Sequence, residues 1–203
     1  MTVKALVVFV HPQPDEFMAG LRDETSSALK NAGASVATID PYRDAFEAAL
    51  SAEELGAYAT GTPALDPIAQ SYADLVAESD VIAFVFPMWW AGPPSMLKGF
   101  FDRVLVPGVA FRMSDNGRIH PGLTHVRNVF IITAAEPPGH FPHRSTRHLA
   151  RRFARSLRRA TGRKTHTSVE WASPGIRGNS DAEAEFTTHV GQQLRQRLTG
   201  AHQ

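Results

Sequence analysis

The sequence predicts an α/β protein, a three-layer α/β/α sandwich around a five-stranded parallel sheet of strand order 2-1-3-4-5. Short β-branched or aromatic segments alternate along the chain with longer segments of helical periodicity. This alternation is typical of a parallel sheet with helices on both faces and right-handed crossovers. Three of the strand segments are almost continuously hydrophobic, as expected where both faces are covered. We expect the 203 residues to form a single domain, residues 1–203.

Five strands and five helices account for the pattern. The expected strands are residues 3–10, 34–39, 81–86, 128–133 and 165–171. The expected helices are residues 17–31, 66–78, 95–104, 145–160 and 180–198. Gly33 is a stop signal after the first helix, Pro67 suits a first turn, and Ser95 and Ser180 are candidate N-caps. Residues 107–122 contain an Asp-Asn-Gly turn, which predicts a hairpin-like excursion before the fourth strand.

Composition excludes several classes of function. The chain contains no cysteine, which excludes disulfides, thiolate nucleophiles, iron–sulfur ligation and Cys-type zinc sites. The spacing of His140, His143 and His148 matches no standard metal-ligand pattern, so we expect no metal site. The formal net charge of +1 gives no overall field that selects nucleic acid or membrane. No apolar segment approaches the ~18 residues that span a bilayer. We therefore expect a soluble cytoplasmic protein.

The loops at one end of the sheet are the expected ligand site. In an open parallel sheet, ligands bind beyond the carboxyl ends of the strands, where the strand order reverses. Here that point lies between the first and third strands, next to residues 11–16, 87–94 and 133–140. Prolines stiffen all three loops. Strand alternation predicts that at least one of Trp89 and Trp90 faces the crevice. These features favour a flat, conjugated ligand over packing under a loop or at a subunit interface.

The first of these loops gives a mixed signal for phosphate. It precedes a helix whose N–H groups and positive dipole end favour an anion. His11 offers a further donor, although a strand-end histidine bonded to the backbone is equally consistent with the sequence. Asp15 and Glu16 repel a phosphate unless they face away. No GxGxxG or Walker A pattern occurs, which disfavours a classical dinucleotide-binding or P-loop protein.

Residues 86–104, FPMWWAGPPSMLKGFFDRV, resemble the signature of the flavodoxin-like NAD(P)H:quinone oxidoreductases, which is approximately F-P-x-W-W-x-x-P-A-x-L-K-G-W-x-D-R-V. The similarity continues through residues 50–54 and 107–111 and spans nearly the whole chain. The group also includes modulator-of-drug-activity proteins and ancillary subunits of potassium-efflux systems. The resemblance implies a flavodoxin-like fold, bound FMN or FAD, NAD(P)H as co-substrate and a quinone or similar electrophilic acceptor. It also implies ping-pong transfer of hydride through flavin N5 and, usually, a homodimer.

The same resemblance assigns the site residues. Those implied at the flavin phosphate are His11, Glu16, Phe17 and Met18. Those implied along the ring are Pro87, Met88, Trp89, Trp90 and Ala91. Those implied at the polar edge of the ring are Thr133, Ala134, Ala135 and Glu136. Some relatives use a Tyr and a His as a proton relay beyond this last loop. His140 stands near that place and is the candidate catalytic residue.

Two loops depart from the family pattern. Relatives commonly carry Ser and Asn where this chain has Glu16 and Met18, so two phosphate partners are lost. Many relatives read T-T-G-G or T-T-Y-G after the fourth strand, where this chain reads T-A-A-E at 133–136. Alanine and glutamate should crowd the edge of the ring. Two alternatives therefore stay open: a flavodoxin-like binding or regulatory protein, and a flavin-free biosynthetic protein that reuses a degenerate flavin site.

The charge is unevenly distributed along the chain. Residues 144–164 contain nine basic residues and no acid, which leaves 12 basic against 20 acidic residues elsewhere, or about −8. The residues that recur every three or four positions, as on one helix face, are Arg144, Arg147, Arg151, Arg155 and Arg158. A solvated face paired to acids of neighbouring elements is the favoured interpretation. The alternatives are docking of the 2′-phosphate of NADPH, of an acidic partner, or of nucleic acid, and no motif supports the last.

Overall fold

The computed structural model describes residues 2–60, 66–90, 92–114, 116–135 and 143–199. The strands are β1 (Lys4–Phe9), β2 (Ser35–Ile39), β3 (Val81–Met88), β4 (Phe111–Met113), β5 (Ile119–Pro121), β6 (Asn128–Ala135) and β7 (His166–Ala172). The helices are α1 (Glu16–Asn31), α2 (Ala52–Thr60), α3 (Pro67–Glu78), α4 (Ser95–Val104), α5 (His143–Thr161) and α6 (Ser180–Thr199).

Five of the strands form one parallel sheet of order β2-β1-β3-β6-β7. In terms of the five predicted strands this is the order 2-1-3-4-5, so the fold prediction is confirmed. The remaining two strands, β4 and β5, form a separate antiparallel ribbon in which Arg112 lies opposite His120. This ribbon is the excursion predicted for residues 107–122.

Both faces of the sheet are covered, because successive strand residues point to opposite sides. In β1 and the residue after it, Leu6, Val8 and Val10 enter one hydrophobic core, which also contains residues of α3, α4 and α5. Val7 and Phe9 enter the other core, which contains residues of α1 and α6. The near-continuous hydrophobicity of the central strands follows from this double coverage.

The capping residues correct two details of the prediction. Ser95 is not the N-cap of α4: the cap is Pro94, which makes no side-chain cap bond. Ser180 lies within α6, and the side chain of Asn179 accepts the hydrogen bond from the Ala182 amide at 3.2 Å. Asp66 caps α3 as the Asp-Pro pattern indicates.

Helix α2 was not predicted, and a buried arginine explains how it is held. Arg103 of α4 donates through Nε to Glu54 of α2 at 2.7 Å. The same guanidinium pairs with Asp66 and donates to the backbone carbonyl of Glu47. It also lies 5.0 Å from the ring centroid of Phe46. Arg103 therefore fastens α2, α3 and the preceding loop to α4.

Gly99, within the motif of residues 86–104, also contributes to packing. Gly99 lies where α4 approaches the backbone of residue 48, and an added Cβ would collide with Ala48. Gly99 and Arg103 of the motif thus fix α4 against its neighbours, while the Pro-Met-Trp-Trp portion lies at the end of β3. None of the described helices has both the length and the apolar character to cross a membrane.

Candidate functional site at the reversal of strand order

The carboxyl ends of β1, β3 and β6 meet where the strand order reverses. Val10 donates to the carbonyl of Val85 at 2.9 Å, the last hydrogen bond on the β1 side before His11 begins the first loop. On the other side β3 stays paired with β6 to its end, with Phe86 opposite Thr133. The chain segments that follow β1 and β3 therefore separate after residue 10, and a ligand crevice requires this separation.

A tight turn carries the two tryptophans. The backbones of Trp89 and Gly92 exchange two hydrogen bonds, at 3.0 and 2.8 Å. Between them Trp90 has φ +49°, a left-handed conformation that costs a non-glycine residue about 1–2 kcal/mol. Its side chain is 89% exposed. Backbone strain at such a position is typical of ligand sites, where the surrounding structure enforces it.

Trp89 points the other way, across the reversal. Its ring lies edge-on to the ring of His11, with centroids 5.8 Å apart. His11 Nδ1 accepts a hydrogen bond from the Gln13 amide at 3.2 Å. In the neutral ring the proton is then on Nε2, which can donate to a ligand oxygen. The two tryptophans thus have separate surroundings, one packed on His11 and one open to solvent.

The amino end of α1 is capped by its own anion. Asp15 accepts a hydrogen bond from the Met18 amide at 2.9 Å. Glu16 is exposed, whereas the side chains of Phe17 and Met18 are buried in the core shared with α6. The predicted phosphate residues therefore lie together in sequence, but Phe17 and Met18 present only backbone to this end of the sheet.

Arg177 is a residue of this site that sequence reasoning missed. It comes from the loop before α6, and its side chain is only 8% exposed. It donates to Asp15 at 2.5 Å and to Glu183 at 3.2 Å, and it lies 5.0 Å from the ring centroid of Phe17. Burial alone would raise the pKa of Asp15, but hydrogen bonds from Arg177 and the Met18 amide outweigh it and lower that pKa.

Thr133, two residues before the end of β6, carries a buried hydroxyl. The residue is completely buried, between Phe86 and Trp171 in the strand register. Its Oγ1 has no hydrogen-bond partner among the described residues. A buried hydroxyl without a partner costs about 1–3 kcal/mol, and this one lies towards the carboxyl end of β6.

The other predicted site residues divide into two groups. Pro87 and Met88 are buried in β3, and they pair with Ala134 and Ala135, which are buried in β6. The residues that lie outside the described part of the chain are Ala91, Glu136 and His140. Within the described part, no three His, Asp or Glu side chains converge as they would around a metal ion.

A family model described as a flavodoxin-like fold matches residues 3–198. The chain belongs to this flavodoxin-like family. Among curated relatives, the flavodoxin-like chain is 34% identical over 113 residues to an uncharacterized NAD(P)H oxidoreductase of Haemophilus influenzae, covering 55% of this chain and 54% of that protein. It is 32% identical over 127 residues to NAD(P)H dehydrogenase [quinone] 1 of Rattus norvegicus, covering 53% and 45%. The matched region is about half the length of these relatives.

Solved structures repeat the fold along the whole chain. An NAD(P)H:quinone oxidoreductase from Methanothermobacter marburgensis superposes with a TM-score of 0.76 at 22% identity, over 97% of each chain. An FMN-dependent NADH-azoreductase from Bacillus anthracis, solved in complex with FMN, gives a TM-score of 0.75 at 14% identity, over 97% of this chain and 100% of that one. At these identities the likeness extends to the fold of this flavodoxin-like protein and no further.

The residues where the strand order reverses fit the flat ring of a flavin better than they fit the flavin phosphate. The Thr133 hydroxyl and the rigid turn at residues 89–92 supply a polar contact and an aromatic wall. At the phosphate end, the Met18 amide already serves Asp15, and Glu16 and Met18 offer no side-chain donor. His11 Nε2 and the remaining backbone are the donors available for an anion there.

Proposed function

We propose that this flavodoxin-like protein is a flavin-dependent NAD(P)H oxidoreductase that reduces a quinone or a similar electrophilic acceptor. The observation that carries the proposal is the buried Thr133 hydroxyl without a partner, at the same edge of the sheet as the strained Trp90 turn. The names of the rat and Haemophilus influenzae relatives support the reaction class. When bound, FMN or FAD supplies hydride acceptance from NAD(P)H and two-electron transfer to the acceptor.

In this proposal, side chains of the protein bind the flavin and orient its ring. Thr133 Oγ1 exchanges a hydrogen bond with the polar edge of the ring, which satisfies the hydroxyl. The turn at 89–92 holds an aromatic wall in place at little further entropic cost, because its two backbone hydrogen bonds already fix it. His11 Nε2 donates to a phosphate oxygen. His140 keeps the role that the resemblance implies, a proton donor near the acceptor.

Exposed apolar side chains support a homodimer as part of the proposal. Trp90, Met113 and Ile119 are 89%, 58% and 51% exposed, although all three are large and hydrophobic. An apolar cavity of about 430 Å³ opens nearby between α4, α5 and the β4 ribbon, where Phe101, Phe111 and Phe153 line it. Exposed apolar surface of this kind is typical of an interface. A second copy of the chain would cover it and complete the site around Trp90.

Steady-state kinetics test the reaction. The protein reconstituted with FMN or FAD is assayed with NADH or NADPH as donor and a benzoquinone as acceptor. We expect oxidation of the donor that depends on the acceptor. The double-reciprocal lines should be parallel, because the oxidised nicotinamide leaves before the quinone binds. Absence of donor oxidation in protein that retains flavin would contradict the reaction. Intersecting lines would contradict the ping-pong order.

A second candidate function is favoured by one observation, the carboxylate at the phosphate end. Asp15 accepts the hydrogen bond of the Met18 amide and forms an ion pair with Arg177, so the protein already supplies an anion there. Such an arrangement suits a flavodoxin-like binding or regulatory protein without turnover. One preparation of purified protein distinguishes the two candidates. An oxidoreductase binds flavin tightly and oxidises NAD(P)H. A regulatory protein of this kind does neither.

A further inference from the structure

The arginines of α5 lack the acidic partners that the sequence analysis favoured. Among the described side chains, none of Arg151, Arg155 and Arg158 makes an ion pair with a carboxylate. All three are exposed, and they recur at intervals of four and three residues. On a helix this spacing places them in one row about 10 Å long. The interpretation of this face as paired to neighbouring acids is therefore wrong for these three residues.

This row of arginines borders a concave site. Arg151, Arg155 and Arg158 line a pocket of about 220 Å³, together with Thr167 and Val169 of β7. Since β7 is the edge strand of the sheet, the pocket opens along the flank of the molecule. Its floor is the strand and its rim is the helix. The three arginines thus border a cavity.

The floor of the pocket adds a polar group that has no partner. Thr167 Oγ1 is buried and has no hydrogen bond within the described residues. As at Thr133, a shielded hydroxyl of this kind costs free energy unless a ligand or water satisfies it. The pocket is therefore lined by three arginines and by Thr167, whose hydroxyl is buried beneath its floor.

Uncompensated positive charge is also felt by a neighbouring side chain. Burial lowers the pKa of His166, and the positive charges of Arg197 and Arg158 lower it further. Thr167 follows His166 at the start of β7, at the amino end of the strand. Thr167 and Val169 are the second and fourth of the seven residues of β7, so the pocket lies along the amino half of this edge strand. The reversal of strand order lies at the carboxyl ends of β1, β3 and β6, and none of the residues assigned to the proposed redox site lines the pocket.

We propose that the pocket formed by Arg151, Arg155, Arg158 and Thr167 binds the diphosphate or phosphate group of a small molecule. Guanidinium groups bind phosphate oxygens in a bidentate manner, and three of them match the two to four negative charges of such a group. The Thr167 hydroxyl suits a phosphate oxygen as well. A carboxylate carries one charge and would leave two arginines uncompensated.

The test uses inorganic pyrophosphate as the probe and calorimetric titration as the readout. The stripe variant Arg151→Gln, Arg155→Gln and Arg158→Gln removes the proposed ligands. Its matched control, Arg152→Gln, Arg159→Gln and Arg163→Gln, removes the same charge from exposed positions of the same segment that do not line the pocket. Circular dichroism and thermal melts establish that both variants fold. A single variant, Thr167→Val, removes the hydroxyl without a change of charge.

We expect saturable, stoichiometric binding of pyrophosphate to the wild-type chain. The stripe variant should weaken it at least about tenfold, because several charge-assisted hydrogen bonds are lost. The control should weaken it by about twofold or less through the general field. Thr167→Val should weaken it about threefold to tenfold, as expected for one hydrogen bond.

Three results would overturn the proposal. Equal losses in the stripe variant and its control would mean that only diffuse charge attracts the anion. An absence of saturable binding would mean that no such site exists. Binding of a single-stranded DNA oligonucleotide with no measurable binding of pyrophosphate would assign the surface to a polymer instead. None of these results depends on flavin or on turnover, so the redox proposal is tested separately.

Discussion

Arg177 donates a hydrogen bond to Asp15 at 2.5 Å and thereby joins the loop before α6 to the cap of α1. The two residues are 162 positions apart in sequence, and the arginine is almost completely buried. One carboxylate therefore has two partners, the Met18 amide and the Arg177 guanidinium. This arrangement places a fixed negative charge where a ligand phosphate would otherwise meet the helix N-terminus.

Removing that charge should change the response of stability to pH. The pKa of Asp15 is lowered, since the hydrogen bonds from Arg177 and Met18 outweigh the effect of burial. A lowered pKa means that Asp15 contributes stability above its unfolded value, near 3.9. That contribution is lost as the pH falls through the lower folded value. Asp15→Ser should therefore flatten the decline in the free energy of unfolding on acidification from about pH 5.

The measurement is urea unfolding at a series of pH values from about 6 to 3. Asp23→Ser, which removes an exposed acid of the same helix, is the control. The control should keep the slope of the wild-type chain. An identical slope in Asp15→Ser and wild type would contradict the assigned role of the Asp15–Arg177 pair.

The same substitution should help an anionic ligand. Serine still caps the helix, but it carries no charge. We expect Asp15→Ser to bind FMN about twofold to fivefold more tightly, the effect of one charge at a helix N-terminus. Fluorescence titration of FMN measures the change, with Asp23→Ser again as the control. Weaker binding in Asp15→Ser would indicate that the carboxylate positions Arg177 for the ligand.

Two buried threonines make a matched pair for the role of Thr133. Thr165 Oγ1 donates to the carbonyls of Val126 and Thr161, at 2.8 and 3.0 Å. Thr165→Val should therefore lower the free energy of unfolding by about 1–2 kcal/mol. Thr133→Val removes a hydroxyl without a described partner, so it should leave stability unchanged or raise it by about 1 kcal/mol.

The two substitutions should have the opposite order of effect on flavin affinity. Thr133→Val should weaken flavin binding about fivefold to tenfold, whereas Thr165→Val should leave it within about twofold of the wild-type value. Urea unfolding and flavin titration are measured on both variants. A loss of stability in Thr133→Val equal to that in Thr165→Val would mean that the Thr133 hydroxyl has a protein partner.

The strained turn allows the backbone and the ring of Trp90 to be separated. Glycine adopts a positive φ without penalty and alanine does not, so Trp90→Gly should be more stable than Trp90→Ala by about 1 kcal/mol. Both variants lack the indole ring. Both should therefore lose quinone reduction to a similar extent, measured as kcat/KM for the acceptor. Full activity in either variant would show that the indole ring of Trp90 is not part of the active site.

Replacing Arg103 should lower the free energy of unfolding far more than replacing Lys98, five residues earlier in the same helix. Arg103→Met leaves Glu54, whose side chain is 8% exposed, without its cation, and should cost about 3–5 kcal/mol of unfolding free energy. Lys98→Met breaks an exposed pair with Asp102 in the same helix and should cost less than about 1 kcal/mol. Thermal melts compare the two variants. Similar shifts in Tm would contradict the assigned role of Arg103 as the fastening of α2.

The sheet could be predicted from the sequence because the pattern of hydrophobic residues in each strand depends directly on which of its faces are buried. The strand order and the location of the site followed from the general rule for reversals in parallel sheets. Helix α2 escaped prediction because its stabilising contact, between Glu54 and Arg103, joins residues 49 positions apart. Arg177 escaped for the same reason, since its partner is Asp15 at the other end of the chain. A single arginine in a loop gives no signal of the helix it reaches.

The residues around the two tryptophans give a similar lesson. Alternation predicted that their side chains would diverge, and they do, with Trp89 against His11 and Trp90 exposed. The positive φ of Trp90 arises from the hydrogen-bonded turn between Trp89 and Gly92. A glycine two residues after Trp90 is a weak signal for such a turn. The unpaired arginines of α5 were visible as charge, but the cavity that they border with β7 depends on tertiary packing.

The proposed reaction requires a planar redox ring bound beside Trp90 and Thr133. The most direct test is to incubate the purified protein with FMN or FAD, remove unbound ligand by gel filtration, and record the visible absorption spectrum together with tryptophan fluorescence. We expect flavin to be retained at close to one per chain and to quench tryptophan emission, with less quenching in Trp90→Phe and Thr133→Val. A colourless protein with unchanged emission after both incubations would contradict the proposal.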